Sequence, residues 1–167
     1  MMNSSDSTSN KKAIILVTGM SGTGKSTVLV ELARRGHRVI DTDYDGWSEN
    51  VDGSGWLWRE DRIDTLLTRH TEGALFISGT VSNQGKFYSR FDAIVLLSAP
   101  LEVILERVAS RKTNEYGKTA EQREEIVHYV NTVEPLLRAG ATIEIDTRTP
   151  LDQVATELEL IAKNPAI

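Results

Sequence analysis

Short apolar runs alternate with stretches of helical periodicity along most of the chain. Ala13-Ile14-Ile15-Leu16-Val17, His37-Arg38-Val39-Ile40, Ala74-Leu75-Phe76-Ile77-Ser78, Phe91 to Leu97 and Ala141 to Asp146 read as five strands. The fourth is almost wholly apolar, the mark of a strand buried on both faces. Between them, apolar positions at helical spacing predict helices from about Lys25 to Arg35, Trp56 to His70, Pro100 to Arg111, Thr119 to Arg138 and Thr149 to Ala162. The ends carry their own signals. Gly36 stops the first helix, Pro100 suits the first turn of the third, and Thr119 followed by Gln122 is a capping box. Pro135 predicts a kink or an early end in the fourth, and Gly140 stops it. Tyr44 to Gly55 is polar with three glycines and reads as loop with room for one helical turn; a loop or short helix follows Gly79 through Arg90. Strands and helices in strict alternation predict an α/β fold on a parallel sheet. With no repeat and no linker, residues 12–167 read as a single domain behind a polar, disordered leader at 1–11.

Composition narrows the chemistry. The 167 residues contain no cysteine, which excludes disulfides and thiolate-held metals. His37, His70 and His128 are scattered without metal-ligand spacing. No apolar run approaches the ~20 residues that span a bilayer, and the leader lacks the apolar segment of a signal peptide, so a cytoplasmic protein without a membrane partner is expected. A net charge of −5 argues against a nucleic-acid surface but leaves room for a small anion held by local positive charge.

Such a site is written in Gly19-Met20-Ser21-Gly22-Thr23-Gly24-Lys25-Ser26-Thr27, between the first strand and the first helix. The spacing G-x-x-x-x-G-K-[ST] is that of a P-loop. Glycines bring backbone N–H groups close to phosphate oxygens, and the helix start adds the positive end of its dipole. Lys25 supplies a mobile cation for the β- and γ-phosphates, and the Ser26 hydroxyl is a ligand for Mg²⁺. Gly19, Ser21, Gly22, Thr23, Gly24, Lys25, Ser26 and Thr27 are therefore the expected binding residues for ATP.

The second strand ends in Asp41-Thr42-Asp43, at the sheet edge where open α/β folds bind ligands. Beside a metal–phosphate site, two carboxylates can divide the work. One orders the metal's water shell, and the other orients and deprotonates an acceptor hydroxyl. The plain alternative is a solvated strand end whose aspartates cap the next turn. Further on, Arg107 and Arg111 lie four residues apart on one helix, and Lys112, Lys118 and Arg123 flank the polar loop Thr113 to Lys118. Arginines closing over a transferring phosphoryl group stabilise its charge and exclude water; otherwise they form a solvated ion-paired face with Glu102 and Glu106. Trp56 and Trp58 read as anchors for their helix. Arg59, Gly79 and Thr80 are candidate contacts for the acceptor, with Asn83, Gln84, Lys86 and Arg90 behind them.

Together these residues resemble the small P-loop kinases of the nucleoside-monophosphate-kinase-like group, with shikimate kinase and gluconate kinase nearest. The resemblance runs from Lys12 to Ala162 and is most specific at Gly19–Thr27 and at Ile40-Asp41-Thr42-Asp43, which looks like the shikimate-kinase D-T-D. It implies a three-layer P-loop NTPase fold whose five-stranded parallel sheet runs 2-3-1-4-5, with a short lid at about 112–120. It also implies metal work for Asp41, contact with the acceptor hydroxyl for Asp43, a lid or adenine-packing place for Arg111, and an adenine contact for Arg148 in Ile145-Asp146-Thr147-Arg148. The catalytic set is then Lys25, Asp43, Arg107 and Arg111, with Mg²⁺ held through Ser26 and Asp41. Where shikimate kinases carry a triple glycine this chain has Ser78-Gly79-Thr80-Val81, and the lid lacks their Arg-Pro-Leu, so the resemblance does not name shikimate. Gly19 to Asp43 also looks like dephospho-coenzyme A kinase, which the later segments do not follow. The expectation is an ATP phosphotransferase acting on a hydroxyl of a small metabolite, working as a monomer or weak dimer. The alternatives are a nucleoside monophosphate kinase, whose acceptor would need cations such as Arg59, Lys86 and Arg90, and a non-catalytic ATP-binding protein.

Overall fold

The computed structural model describes residues 11–112 and 115–165. The leader at residues 1–10 and residues 113–114 of the expected lid lie outside the described residues.

Strand β1 (Ala13–Thr18) is buried at every position and forms the middle of the sheet. It pairs in parallel with β5 (Ala74–Ser78) on one side and β6 (Ala93–Ser98) on the other. The outer strands are β2 (Arg38–Asp41), beside β5, and β7 (Ile143–Asp146), beside β6. The order β2-β5-β1-β6-β7 is the expected 2-3-1-4-5 when only the parallel strands are counted.

Side chains two apart on a strand share a face, and the core divides accordingly. Ala13, Ile15 and Val17 pack under helices α1 (Lys25–Arg34) and α6 (Leu151–Lys163) through Val28, Leu29, Leu32, Val154, Ala155 and Leu158. Ile14 and Leu16 face the other way, onto helix α2 (Glu60–Arg69) and the 3₁₀ helix Gln84–Arg90. A smaller cluster, Ile104, Val108 and Ile126, joins α3 (Leu101–Ser110) to α4 (Ala120–Thr132). Thr119 accepts a hydrogen bond from Gln122 N, as its capping box predicts. The long fourth helix is broken where Pro135 foretold it, α5 (Glu134–Gly140) starting one residue after Val133.

One element differs from expectation. The polar stretch after the second strand is an antiparallel hairpin, β3 (Ser48–Val51) and β4 (Gly55–Trp58), and α2 begins only at Glu60. β3 is mostly polar and the apolar Trp56-Leu57-Trp58 of β4 runs straight into the pattern of α2, so no strand period marks the pair; Asp52-Gly53 at the tip is its turn signal. Trp58 is the expected anchor, 2% exposed with its ring 5.9 Å from that of Phe87, whereas Trp56 on the same strand is 60% exposed and anchors nothing. The Trp58 indole N–H donates to Thr42 Oγ1 at 2.8 Å, and Thr42 Oγ1 donates to Ser78 O at 2.7 Å. This chain of bonds fixes the turn after β2 against the end of β5.

Gly79 makes the arrangement sterically possible. A Cβ there would stand 2.7 Å from Thr42 Oγ1 and 2.9 Å from the Trp58 ring. Gly79→Val is expected to cost about 1–3 kcal/mol through overpacking and loss of the indole bond. Denaturant unfolding followed by tryptophan fluorescence checks it; an unchanged midpoint would disprove the role.

Candidate active site

The carboxyl ends of β1, β2 and β5 and the start of α1 converge on one crevice. Gly24, the N-cap of α1, has φ 97° and ψ 18°, a left-handed conformation that glycine adopts without strain. No side chain caps this helix, so the first-turn amides point from an uncapped positive end into the loop Gly19–Gly24. The loop is held from beneath. Thr23 Oγ1 donates to Met20 O at 2.7 Å, and Thr80 Oγ1 donates to Gly19 O at 2.6 Å.

Lys25 is partly buried and donates to Gly19 O at 2.6 Å and Met20 O at 3.2 Å. Burial pushes its ammonium down from 10.5 to about 8, against the pull of Asp43 and then Asp41, with Arg111 adding to the depression. Among the described residues the cation of the cup is thus held by two carbonyl oxygens, with two carboxylates nearby. An incoming polyanion supplies what it lacks.

Asp41 and Asp43 occupy the crevice edge while Thr42 between them turns inward. Asp41 Oδ2 accepts from Ser26 Oγ at 2.8 Å, and Oδ1 accepts from Asp43 N at 3.1 Å. β2 ends at Asp41, so a turn rather than a continuing strand positions Asp43. Asp41 caps that turn as well as meeting Ser26. Burial, and secondarily the Asp41 charge, raises the Asp43 carboxyl above its ordinary range. Asp43, Lys25, Gly19 and Ser21 line a single cavity of about 360 Å³.

The donors fit Mg²⁺, which takes one or two protein oxygens and completes its shell with water and phosphate. The Ser26 hydroxyl and the Asp41 carboxylate are two such oxygens side by side at the cup's mouth. Among the described residues no group of three or more His, Cys, Asp or Glu forms an all-protein metal cage.

The two arginines of α3 diverge despite their i,i+4 spacing. Arg107 donates to Thr147 O at 2.7 Å, Thr147 Oγ1 at 2.9 Å and Gly22 O at 3.4 Å. It lines a separate cavity of about 240 Å³ with Gly24, Thr27 and Leu151, on the far side of the loop from Asp43. Arg111 instead turns toward the crevice, donating to Tyr116 O at 2.9 Å with Nη2 3.5 Å from Ser21 Oγ. Its Nε is buried without a hydrogen-bond partner among the described residues, and burial lowers its basicity. Arg148 is spent on Asp146, which accepts from its Nε and Nη2, and it lines neither cavity.

On the acceptor side, Thr80 lines the crevice, whereas Gly79 serves packing. Arg59 lies 4.0 Å from Glu49 on the hairpin and lines neither this crevice nor the apolar cavity beside it. Lys86 pairs with Glu60 at 3.0 Å, and Arg90 with Asp64 at 2.7 Å, so neither is turned to the crevice. Asn83 holds both backbone groups of Trp58. Lys118 pairs with Glu115, and Lys112 and Arg123 are exposed. Sequence reasoning missed the opposite wall: Tyr116, Ile126 and Tyr129, which only the packing of α4 brings over the cup. Their signal was the spacing of Ile126 and Tyr129 on one helical face.

Among the described residues no helix is long and apolar enough to cross a membrane. A comparison with curated protein sequences finds no match. Solved structures do match across nearly the full chain. Shikimate kinase from Acinetobacter baumannii in complex with shikimate superposes with a TM-score of 0.67 at 19% identity, covering 98% of this chain and 99% of that one. Shikimate kinase from Aquifex aeolicus gives 0.61 at 19%, covering 92% and 98%, and a gluconokinase from Sinorhizobium meliloti 0.57 at 22%, covering 92% and 95%. These proteins share the fold. The family described as "AAA domain" matches residues 15–128, from within β1 through the P-loop, the aspartate pair and most of α4, and the chain belongs to that family.

Proposed function

We propose that this protein is a kinase that moves the γ-phosphoryl group of Mg·ATP to a hydroxyl of a small metabolite. One observation carries the reading: Lys25 and Asp43, a phosphate-seeking cation and a carboxylate with a raised pKa, line the same cavity beside an uncapped helix start. The fold shared with shikimate kinase and gluconokinase structures supports it.

In this reading the loop Gly19–Thr27 cradles the triphosphate, and the base lies in the cavity beside Arg107 and Thr147. When bound, Mg²⁺ at Ser26 and Asp41 neutralises phosphate charge. Asp43 accepts the acceptor's hydroxyl proton as its oxygen bonds to the γ-phosphorus and the bond to the β,γ-bridging oxygen breaks, releasing ADP. Lys25 leaves its carbonyl partners for the phosphate oxygens, and Arg111, its Nη2 3.5 Å from Ser21 Oγ, adds positive charge at the same end. A nucleoside monophosphate acceptor would need cations that are ion-paired elsewhere, Lys86 and Arg90 above all.

Calorimetric titration with Mg·ATP, followed by phosphate transfer assays on hydroxylated metabolites, tests the reading. No binding heat from folded protein would end it. Arg107→Ala is expected to raise KM for ATP roughly tenfold, equivalent to losing about 1.4 kcal/mol, with a smaller change in kcat. A loss confined to kcat would instead put Arg107 at the transferring phosphate.

A further inference from the structure

A second cavity of about 700 Å³ opens from the phosphate crevice and shares Met20, Trp56, Thr80 and Tyr129 with it. The rest of its lining sets Val81, Tyr88, Val133, Leu136 and Leu137 among uncharged polar residues, Ser54, Ser82 and Gln84. Among the described residues no Lys, Arg, His, Asp or Glu lines it. Three side chains on its rim show apolar or aromatic surface to solvent: Trp56 at 60%, Tyr129 at 39% and Leu136 at 71%. Its one amide side chain is spoken for, Gln84 donating to Thr18 Oγ1 and to Tyr88 OH and accepting from Val81 N.

Neighbouring cations are withheld from it. Arg138 pairs with Glu144 and Glu134, Lys86 with Glu60, and Arg90 with Asp64. Lys25 and Arg111 stand at the phosphate end, beside Gly19 and Ser21. Arg123, one turn before Ile126 on α4, is exposed and lines neither cavity. A carboxylate or phosphate on the acceptor would therefore sit in a mostly apolar lining without a cationic partner, which is costly. A ring face would stack on Trp56 and Tyr129 and gain from burial.

From this the geometry points to an uncharged acceptor: a ring-bearing alcohol whose hydroxyl reaches Asp43 and whose apolar body fills the cavity between Trp56, Tyr129 and α5. The inference rests on the kinase reading above and adds the substrate class. The acceptor hydroxyl loses its proton to Asp43 and gains the phosphoryl group of ATP, with ADP as the leaving product.

The test uses matched pairs differing in one charged group: shikimate against methyl shikimate, 4-(hydroxymethyl)benzoate against 4-(hydroxymethyl)benzamide, and AMP against adenosine. Each is titrated calorimetrically into the full chain with Mg·ADP and assayed for transfer from radiolabelled ATP. The neutral member of each pair is expected to show at least a tenfold advantage in Kd or kcat/KM, about 1.4 kcal/mol. Leu136→Arg, at an exposed position, is expected to shrink or reverse that ratio by supplying the missing cation. Preference for the charged members, no binding of any neutral member, or a ratio indifferent to Leu136→Arg overturns the inference. A wild-type protein that binds Mg·ATP yet prefers anions loses only this inference; one that binds no Mg·ATP loses the kinase reading itself.

Discussion

Asp43→Asn is expected to lower kcat by roughly 10²–10⁴-fold, the usual worth of a positioned general base. Asparagine keeps the shape of the side chain and its hydrogen-bonding reach but cannot take a proton. Affinity for Mg·ATP should stay within about threefold, under 1 kcal/mol, because the nucleotide contacts assigned to the P-loop are untouched. The pH profile adds a second readout. The carboxyl is raised by burial and by Asp41, so wild-type kcat should fall as acidity rises through a midpoint above the ordinary aspartate range, where the basic form is lost. That limb should vanish in Asp43→Asn. Turnover equal to wild type would mean that the acceptor needs no base, and the hydroxyl assignment would fall with it.

Lys25→Met should be as damaging and should also reach binding. The side chain faces the cup and is, among the described residues, the only cation lining the 360 Å³ cavity. Removing a preorganised charge of this kind costs roughly 10²–10³-fold in turnover. Its proton supplies a more specific signature. In the unliganded protein burial holds Lys25 near 8, and a triphosphate favours the ammonium form, so binding near pH 8 should draw a proton from buffer. Titrations in two buffers of different ionisation enthalpy measure this uptake, which Lys25→Met should abolish. The stability sign follows by linkage. Between about 8 and 10.5 the unfolded chain carries the proton that the folded chain lacks, so the contribution of Lys25 makes the free protein more stable as pH rises through that window.

The two features on which the kinase reading rests are local in sequence, and for that reason legible. The strand–loop–helix around Gly19–Thr27 needs only its own glycines and the helix that follows. Asp41 and Asp43 end a strand whose neighbours were already apparent from their apolar runs. Expectations failed where geometry depends on reach or on distant packing. Arg107 and Arg111 share a helical face by spacing, but long side chains carry one guanidinium to Thr147 and the other to Tyr116 O. The hairpin escaped because its pairing partner is itself and the apolar residues of its second strand merge with those of the helix that follows. Trp56 and Tyr129 stand more than 70 residues apart, and nothing in either segment says that they face each other across one cavity.

The interruption at Val133 has a consequence for how this molecule can change. α5 is fastened to β6 by Leu137, which clusters with Leu96 and Met20, while Leu136 beside it projects outward. Because the proline frees this short helix from the axis of α4, its outward residues can be exchanged without disturbing strand register or the aspartate pair. In the kinase reading proposed above, acceptor selectivity and phosphoryl transfer then rest on separate supports, and a library confined to Leu136 should redirect which acceptor is taken while leaving the manner of transfer as it was.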